Sequence, residues 1–167
     1  MKQPPLSLLV LGTPRPQPRP RFIKGRAVST ASTKARHWRG AVEREARQAI
    51  ELAGLGKPMF SGPVKLTAVF TFAPPPSAKA RLGSRHTQTP DASNLLKLVE
   101  DALEDAGVFA NDSQIAEADP QKWWGERPGV WLLVEPLEGE QRPEPVNPRK
   151  AEAPGWLTGA SGAAGDG

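Results

Sequence analysis

From Val64 to Phe72 the chain alternates: Val64, Leu66, Ala68, Phe70 and Phe72 fall on one side of an extended backbone, and Lys65, Thr67 and Thr71 on the other. Successive side chains of a strand point to opposite faces, so this run predicts a β-strand with one face against a core. The rest of the chain supplies its companions. Leu6 to Leu11 reads as a short buried strand, ended by Gly12 and the proline-rich stretch Pro14 to Pro20. Arg21 to Ser29 suggests a small hairpin turning at Lys24-Gly25. A helix is expected from about Lys34 to Leu52, capped by Ser29, Thr30 or Ser32, with Ala35, Trp38, Val42, Ala46, Ala49 and Ile50 at helical spacing. A second runs from about Ser93 to Ala106, burying Leu95, Leu96, Val99, Ala102, Leu103 and Ala106 and stopping at Gly107. Gln114 to Lys122 and Val130 to Pro136 read as the two strands of a hairpin. This order predicts an α+β fold: a small, mainly antiparallel or mixed sheet with two helices packed on one face.

The net charge of +4 conceals a segregation. Met1 to Ile50 carries eleven Lys/Arg against two Glu, whereas Asp91 to Asp119 carries eight Asp/Glu against Lys97 alone. The basic half suits a polyanionic partner, although a solvated basic face has the same composition. The absence of cysteine excludes disulfides and thiolate zinc sites and suits a reducing compartment. No apolar run approaches the roughly 20 residues that span a bilayer, and the start of the chain does not resemble a signal peptide, so a cytoplasmic location with no membrane partner is expected. Residues 1–137 read as one domain. Residues 138–167, rich in Pro, Gly and Ala, read as a disordered tail with Trp156-Leu157 as its only docking point.

The acidic segment is where chemistry concentrates. Residues three and four apart share a helix face, so Asn94, Lys97 and Asp101 form a polar stripe opposite the leucines, starting beside Asp91 and Ser93 at the helix N-terminus. If the chain doubles back after Gly107, Asp112 arrives near Asp91. Two such carboxylates would repel one another unless a cation sat between them, and their oxygens suit Mg2+ or Mn2+. A phosphodiester would complete the shell, with Lys97 placed to neutralise charge developing on the phosphorane. The same residues also make an ordinary helix N-terminus, an ordinary i,i+4 pair and an ordinary Asn111-Asp112 turn.

Pro90-Asp91-Ala92-Ser93-Asn94-Leu95-Leu96-Lys97, then Asp101-Ala102-Leu103, then Asn111-Asp112-Ser113-Gln114-Ile115, resembles the signature of the RusA family of Holliday junction resolvases. The resemblance covers about 26 residues with spacing preserved. It implies a homodimeric, magnesium-dependent endonuclease, often prophage-encoded, that nicks four-way DNA junctions symmetrically. It carries the essential acidic residues to Asp91, position 93 and Asp112, and the essential lysine to Lys97. Position 93 is Ser where the family has Asp, and position 111 is Asn where Asp is frequent. The expected site is therefore Asp91, Lys97, Asp101 and Asp112, with Asp91, Asp112 and Ser93 at the metal and Glu100 or Asp101 as possible compensating carboxylates.

Arg15, Arg19, Arg21, Lys24, Arg26, Arg81 and Arg85 are the candidates for phosphate contacts. Trp123, Trp124 and Trp131 have the chemistry to stack on unpaired bases, or to serve as core or dimer contacts. His37 and His86 lack partners at metal-ligand spacing and are expected to be solvated. The readings open at this point are a junction endonuclease, a junction-binding relative with weak or no cleavage, and a basic RNA-binding domain.

Overall fold

The computed structural model describes residues 3–18, 21–28, 32–137 and 139. Its elements, in chain order, are β1 (Leu6–Leu11), β2 (Arg21–Ile23), β3 (Arg26–Val28), α1 (Thr33–Leu52), β4 (Val64–Phe72), α2 (Ala92–Ala106), β5 (Ile115–Trp124) and β6 (Gly129–Pro136). Four strands form a mixed sheet in the order β1-β6-β4-β5, and β2 and β3 pair separately. The α+β expectation holds. The proposed 138–167 tail and its Trp156-Leu157 lie outside the described residues, apart from Gly139.

β4 is central. It runs antiparallel to β6, with Leu66 opposite Val134 and Phe70 opposite Val130, and parallel to β5, with Phe72 opposite Trp124. The expected hairpin of the last two strands is therefore wrong: β5 and β6 lie on opposite sides of β4. Their connection, residues 125–128, passes over the C-terminal end of β4 and spans two strand spacings, roughly 10 Å. Gly125 donates its amide to Phe72 O at 2.9 Å. A Cβ at Gly125 would stand 2.5 Å from Thr71 Cγ2, and one at Gly129 would stand 2.5 Å from Val10 O. Only glycine lets the crossover lie this close to its neighbours.

The alternating apolar side of β4 is fully buried, and Val130, Leu132 and Val134 of β6 join it. α1 packs on α2 and on β1, and α2 packs on β5. From α1 come Ala35, Trp38, Val42, Ala46 and Ile50, all in the same core as the α2 leucines. Ser32 Oγ caps α1 by accepting from Ala35 N at 3.2 Å. Gly107, at φ 87°, ends α2 in the left-handed conformation that glycine adopts without strain. Lys24 and Gly25, both at positive φ, form the tight turn between β2 and β3.

β1 departs from its expectation. It alternates, with Leu6, Leu8 and Val10 buried but Leu9 57 % and Leu11 55 % exposed. The helices cover only one face of the sheet, so an apolar run on this strand is half exposed whatever its composition.

Candidate nuclease site

α2 positions the acidic residues because its leucines anchor the opposite face. Leu95, Leu98, Val99, Ala102 and Leu103 are essentially inaccessible, which leaves Asn94, Lys97 and Asp101 on the outward stripe. Asp91 is the N-cap residue, though its carboxylate makes no capping bond to the backbone. It accepts from Asn94 Nδ2 at 3.4 Å. Beyond Gly107 the chain turns back beside Met59 and Phe60, whose amides donate to the carbonyls of Gly107 and Val108 at 2.9 and 2.8 Å. Val108 and Phe109 are buried there. Residue 112 is thereby brought alongside the middle of α2.

Lys97 Nζ lies 2.5 Å from Asp112 Oδ2 and 3.0 Å from Asp101 Oδ1. The other Asp101 oxygen accepts from Gln17 Nε2 at 3.0 Å, and Gln17 N donates to Asn94 O at 2.8 Å. The proline-rich loop after β1 is thus docked on α2 beside the site. Asp112 N donates to Glu104 Oε2 at 2.9 Å. The hydrogen bond from Lys97, reinforced by its charge, holds the Asp112 carboxyl below the usual carboxylate range. Hydrogen bonds to Asp112 and then Asp101 raise Lys97 and keep it an ammonium. Burial pushes Glu100 up; Lys97 opposes this, while Asp112 and Asp101 add to it.

The structure brings Lys97 and Asp101 together as their i,i+4 spacing suggested, and it sets Asp112 against Lys97, where the sequence reading had looked for it beside Asp91. Asp91 lies six residues before Lys97, roughly 9 Å of helix rise. Ser93 is exposed in the first turn between them. Among the described residues, no three Asp, Glu or His side chains group so as to hold a metal ion. Asp91 and Ser93 at the start of α2, and Asp112 against Lys97, carry oxygen donors of the type magnesium takes; that ion needs only one or two carboxylates and fills its shell with water and substrate phosphate.

The basic candidates are spread over three segments. Arg15 lines a shallow groove with Lys34, His37 and Trp38. Lys24 and Arg26 are exposed at the β2–β3 turn, Arg21 begins β2, and Arg19 lies outside the described residues. Arg81 ends a 3-10 turn, Pro76–Arg81, within what the sequence presented as plain loop. Arg85 stacks its guanidinium 3.7 Å from the Trp123 ring centroid and donates to Gln121 Oε1 at 3.3 Å. Trp124 is core and Trp131 is 39 % exposed.

His86 is a correction: expected to be solvated, it is buried at 6 % exposure. Its ring packs between Phe72 and Trp124 at centroid distances of 4.3 and 4.2 Å. Burial, aided by the charge of Lys122, lowers its pKa and favours the neutral imidazole.

Two positioning side chains escaped the sequence reading. Gln114 Oε1 accepts from Ala110 N at 2.8 Å and Asn111 N at 3.2 Å, while its Nε2 donates to Phe60 O at 3.2 Å and Gly62 O at 3.0 Å. The loop carrying Asp112 is thus tied to the segment before β4. Lys122 Nζ donates to Gln88 O at 2.6 Å and Pro90 O at 2.7 Å, just before Asp91. Gln114 had a visible signal in its place two residues after Asp112. Lys122 had none, because its partners lie more than thirty positions earlier.

A mixed sheet backed by two helices, one of which presents a lysine shared between two carboxylates, defines an α+β domain with a site suited to phosphate-ester chemistry. The chain belongs to the endodeoxyribonuclease RusA family, whose family model matches residues 12–135. No curated protein matches it. The matched span includes both helices and every residue of the acidic site, and membership supports nuclease activity.

Proposed function

We propose that this protein is a magnesium-dependent endonuclease that resolves four-way or otherwise branched DNA by phosphodiester hydrolysis, without a covalent intermediate. The observation that carries the reading is the Lys97 ammonium bridging Asp101 and Asp112 on the outward face of α2, in a chain of an endodeoxyribonuclease family. Asp91 and Asp112 would hold the ion, with Ser93 contributing its hydroxyl or an ordered water. Magnesium, or manganese in its place, would supply charge that polarises the scissile phosphate and lowers the pKa of a bound water.

The chain's own groups do the rest. Asp101, fixed by Gln17, orients Lys97. Lys97 stays protonated and donates to a non-bridging phosphate oxygen as negative charge builds there. Arg15, Arg19, Arg21, Lys24, Arg26, Arg81 and Arg85 hold the backbone of the branches by sequence-independent contacts. Symmetric nicks require two sites, so a homodimer is the working assembly, acting in the cytoplasm on recombination or repair intermediates. Residues 1–137 would carry the activity.

A second reading, a junction-binding relative with weak cleavage, is favoured by one residue: the neutral Ser93 hydroxyl where the family places a carboxylate. Cleavage of a labelled synthetic four-way junction and of linear duplex, with magnesium, manganese or chelator, separates the two. Paired, metal-dependent nicks in the junction, lost in Asp112→Asn, support the resolvase. Tight junction binding with no nick in either metal overturns it in favour of the second reading. Equal affinity for single-stranded RNA, with no preference for branched DNA, overturns both.

A further inference from the structure

Segment 83–90 is clipped to the C-terminal half of β5 from both faces of the sheet. Gly83 N donates to Trp124 O, Trp124 N to Ser84 O and His86 N to Lys122 O, at 2.9, 2.9 and 3.0 Å. On one face Arg85 stacks on Trp123 and bonds Gln121. On the other, His86 packs against Phe72 and Trp124. Beyond His86 the backbone clip ends, and the chain covers four more residues before Asp91 opens α2. Across that gap the Lys122 ammonium ties the chain to β5, bonded to Gln88 O at 2.6 Å and Pro90 O at 2.7 Å.

We propose that Lys122 is a positioning residue for Asp91: its ammonium grips the carbonyls of Gln88 and Pro90 and thereby fixes the peptide from which the Asp91 side chain and the first turn of α2 depart. Pro90 O belongs to the peptide group that joins Pro90 to Asp91, so the gripped oxygen is two bonds from the Asp91 N atom. Charge-assisted bonds to two carbonyls are among the stronger hydrogen bonds a side chain makes. A neutral replacement leaves both oxygens to water and frees the turn. Lys122 needs no contact with DNA to act this way, and its effect falls on how well Asp91 is placed. Catalytic geometry is unforgiving of such shifts, a displacement of about 1 Å costing about a hundredfold in rate.

The role of Lys122 in cleavage rests on the nuclease reading; its grip on the turn does not. The test compares wild type, Lys122→Met and Lys122→Arg in the full chain by two measurements. One is single-turnover cleavage of a four-way junction at saturating protein and magnesium, alongside junction affinity in chelator. The other is amide hydrogen exchange of the segment 87–96 relative to β4. Lys122→Met should cut about 10- to 100-fold more slowly with junction affinity within about twofold of wild type, because positioning acts on the chemical step. Its 87–96 amides should exchange about tenfold faster while β4 is unchanged. Lys122→Arg, which keeps charged donors, should recover most of both effects. Wild-type cleavage and exchange in Lys122→Met would overturn the proposal, as would exchange accelerated equally in β4 with no recovery in Lys122→Arg. If the wild-type protein cuts nothing, the nuclease reading fails, and local exchange still decides whether Lys122 fixes the Asp91 turn.

Discussion

Replacing Gln114 with alanine removes one side chain and four hydrogen bonds, two accepted from Ala110 N and Asn111 N and two donated to Phe60 O and Gly62 O. A protein hydrogen bond contributes about 1 kcal/mol net, and less where water takes over the abandoned groups. Only the bond to Phe60 O is part-buried, so it is set at about 1 kcal/mol and the three exposed bonds at about 0.5 kcal/mol each. The sum is about 2.5 kcal/mol, from which the side-chain freedom recovered on removing an ordered Gln, about 1 kcal/mol, is subtracted. A net loss of about 1.5 kcal/mol should lower the melting temperature by about 4–8 °C in a domain of this size. Gln114→Glu should discriminate further. It keeps the acceptors for the two amides but sets a carboxylate against two carbonyl oxygens, so its deficit should be greater at pH 7 than near pH 4, where protonation restores a donor. Calorimetric melting of the three proteins at both pH values is the assay, with junction cleavage as a companion because the loop carries Asp112. Melting within about 1 °C of wild type for both variants would refute the additive reasoning behind the Gln114 hub.

Gly125→Ala should cost about 1–3 kcal/mol through the clash with Thr71, and the loss should shrink in combination with Thr71→Ala. Gly129→Ala meets the Val10 carbonyl instead, so Thr71→Ala should leave its cost untouched; urea melts of the variants check both statements. Asp112 has its carboxyl lowered, so its contribution to stability is complete above its unfolded pKa and is lost as pH falls through the lower folded value. Lys97 is raised, so its contribution is complete below its unfolded value and is lost as pH rises through the higher folded one. The melting difference between wild type and Asp112→Asn should accordingly be flat from about pH 5 to 9 and shrink below about pH 4. Ser93→Asp should lower the magnesium concentration for half-maximal cleavage by about tenfold or more; an unchanged magnesium titration would rule out position 93 as the limiting feature.

What was legible in the sequence follows from which interactions are local. The helix spans, their buried faces, the Gly107 stop and the Lys24-Gly25 turn all depend on neighbours within a few positions, and each was readable. The acidic stripe was readable for the same reason, since i,i+4 spacing alone places Lys97 on Asp101. Strand pairing was not. Nothing between Trp124 and Gly129 says whether two strands turn tightly on each other or straddle a third, because that is decided by β4, fifty residues earlier. His86 escaped because its ring partners, Phe72 and Trp124, are distant in sequence. Lys122 marked only the end of an expected strand, since its two carbonyl partners carry no side-chain signal.

The straddling connection also dictates the order in which this domain can form. β4 acquires both neighbours only after the chain has passed through both helices, and β1 must wait for the final strand, since Leu6 aligns with Val134. The helices can form early, but the contact order of the sheet is high, which points to slow folding with long loops closed late. Until residues 129–136 arrive, one edge of β4 offers unsatisfied backbone groups to any other extended chain. A nascent chain cut short before β6 would thus be prone to aggregate, and the last eight sheet residues act as the latch that commits the molecule to its folded form.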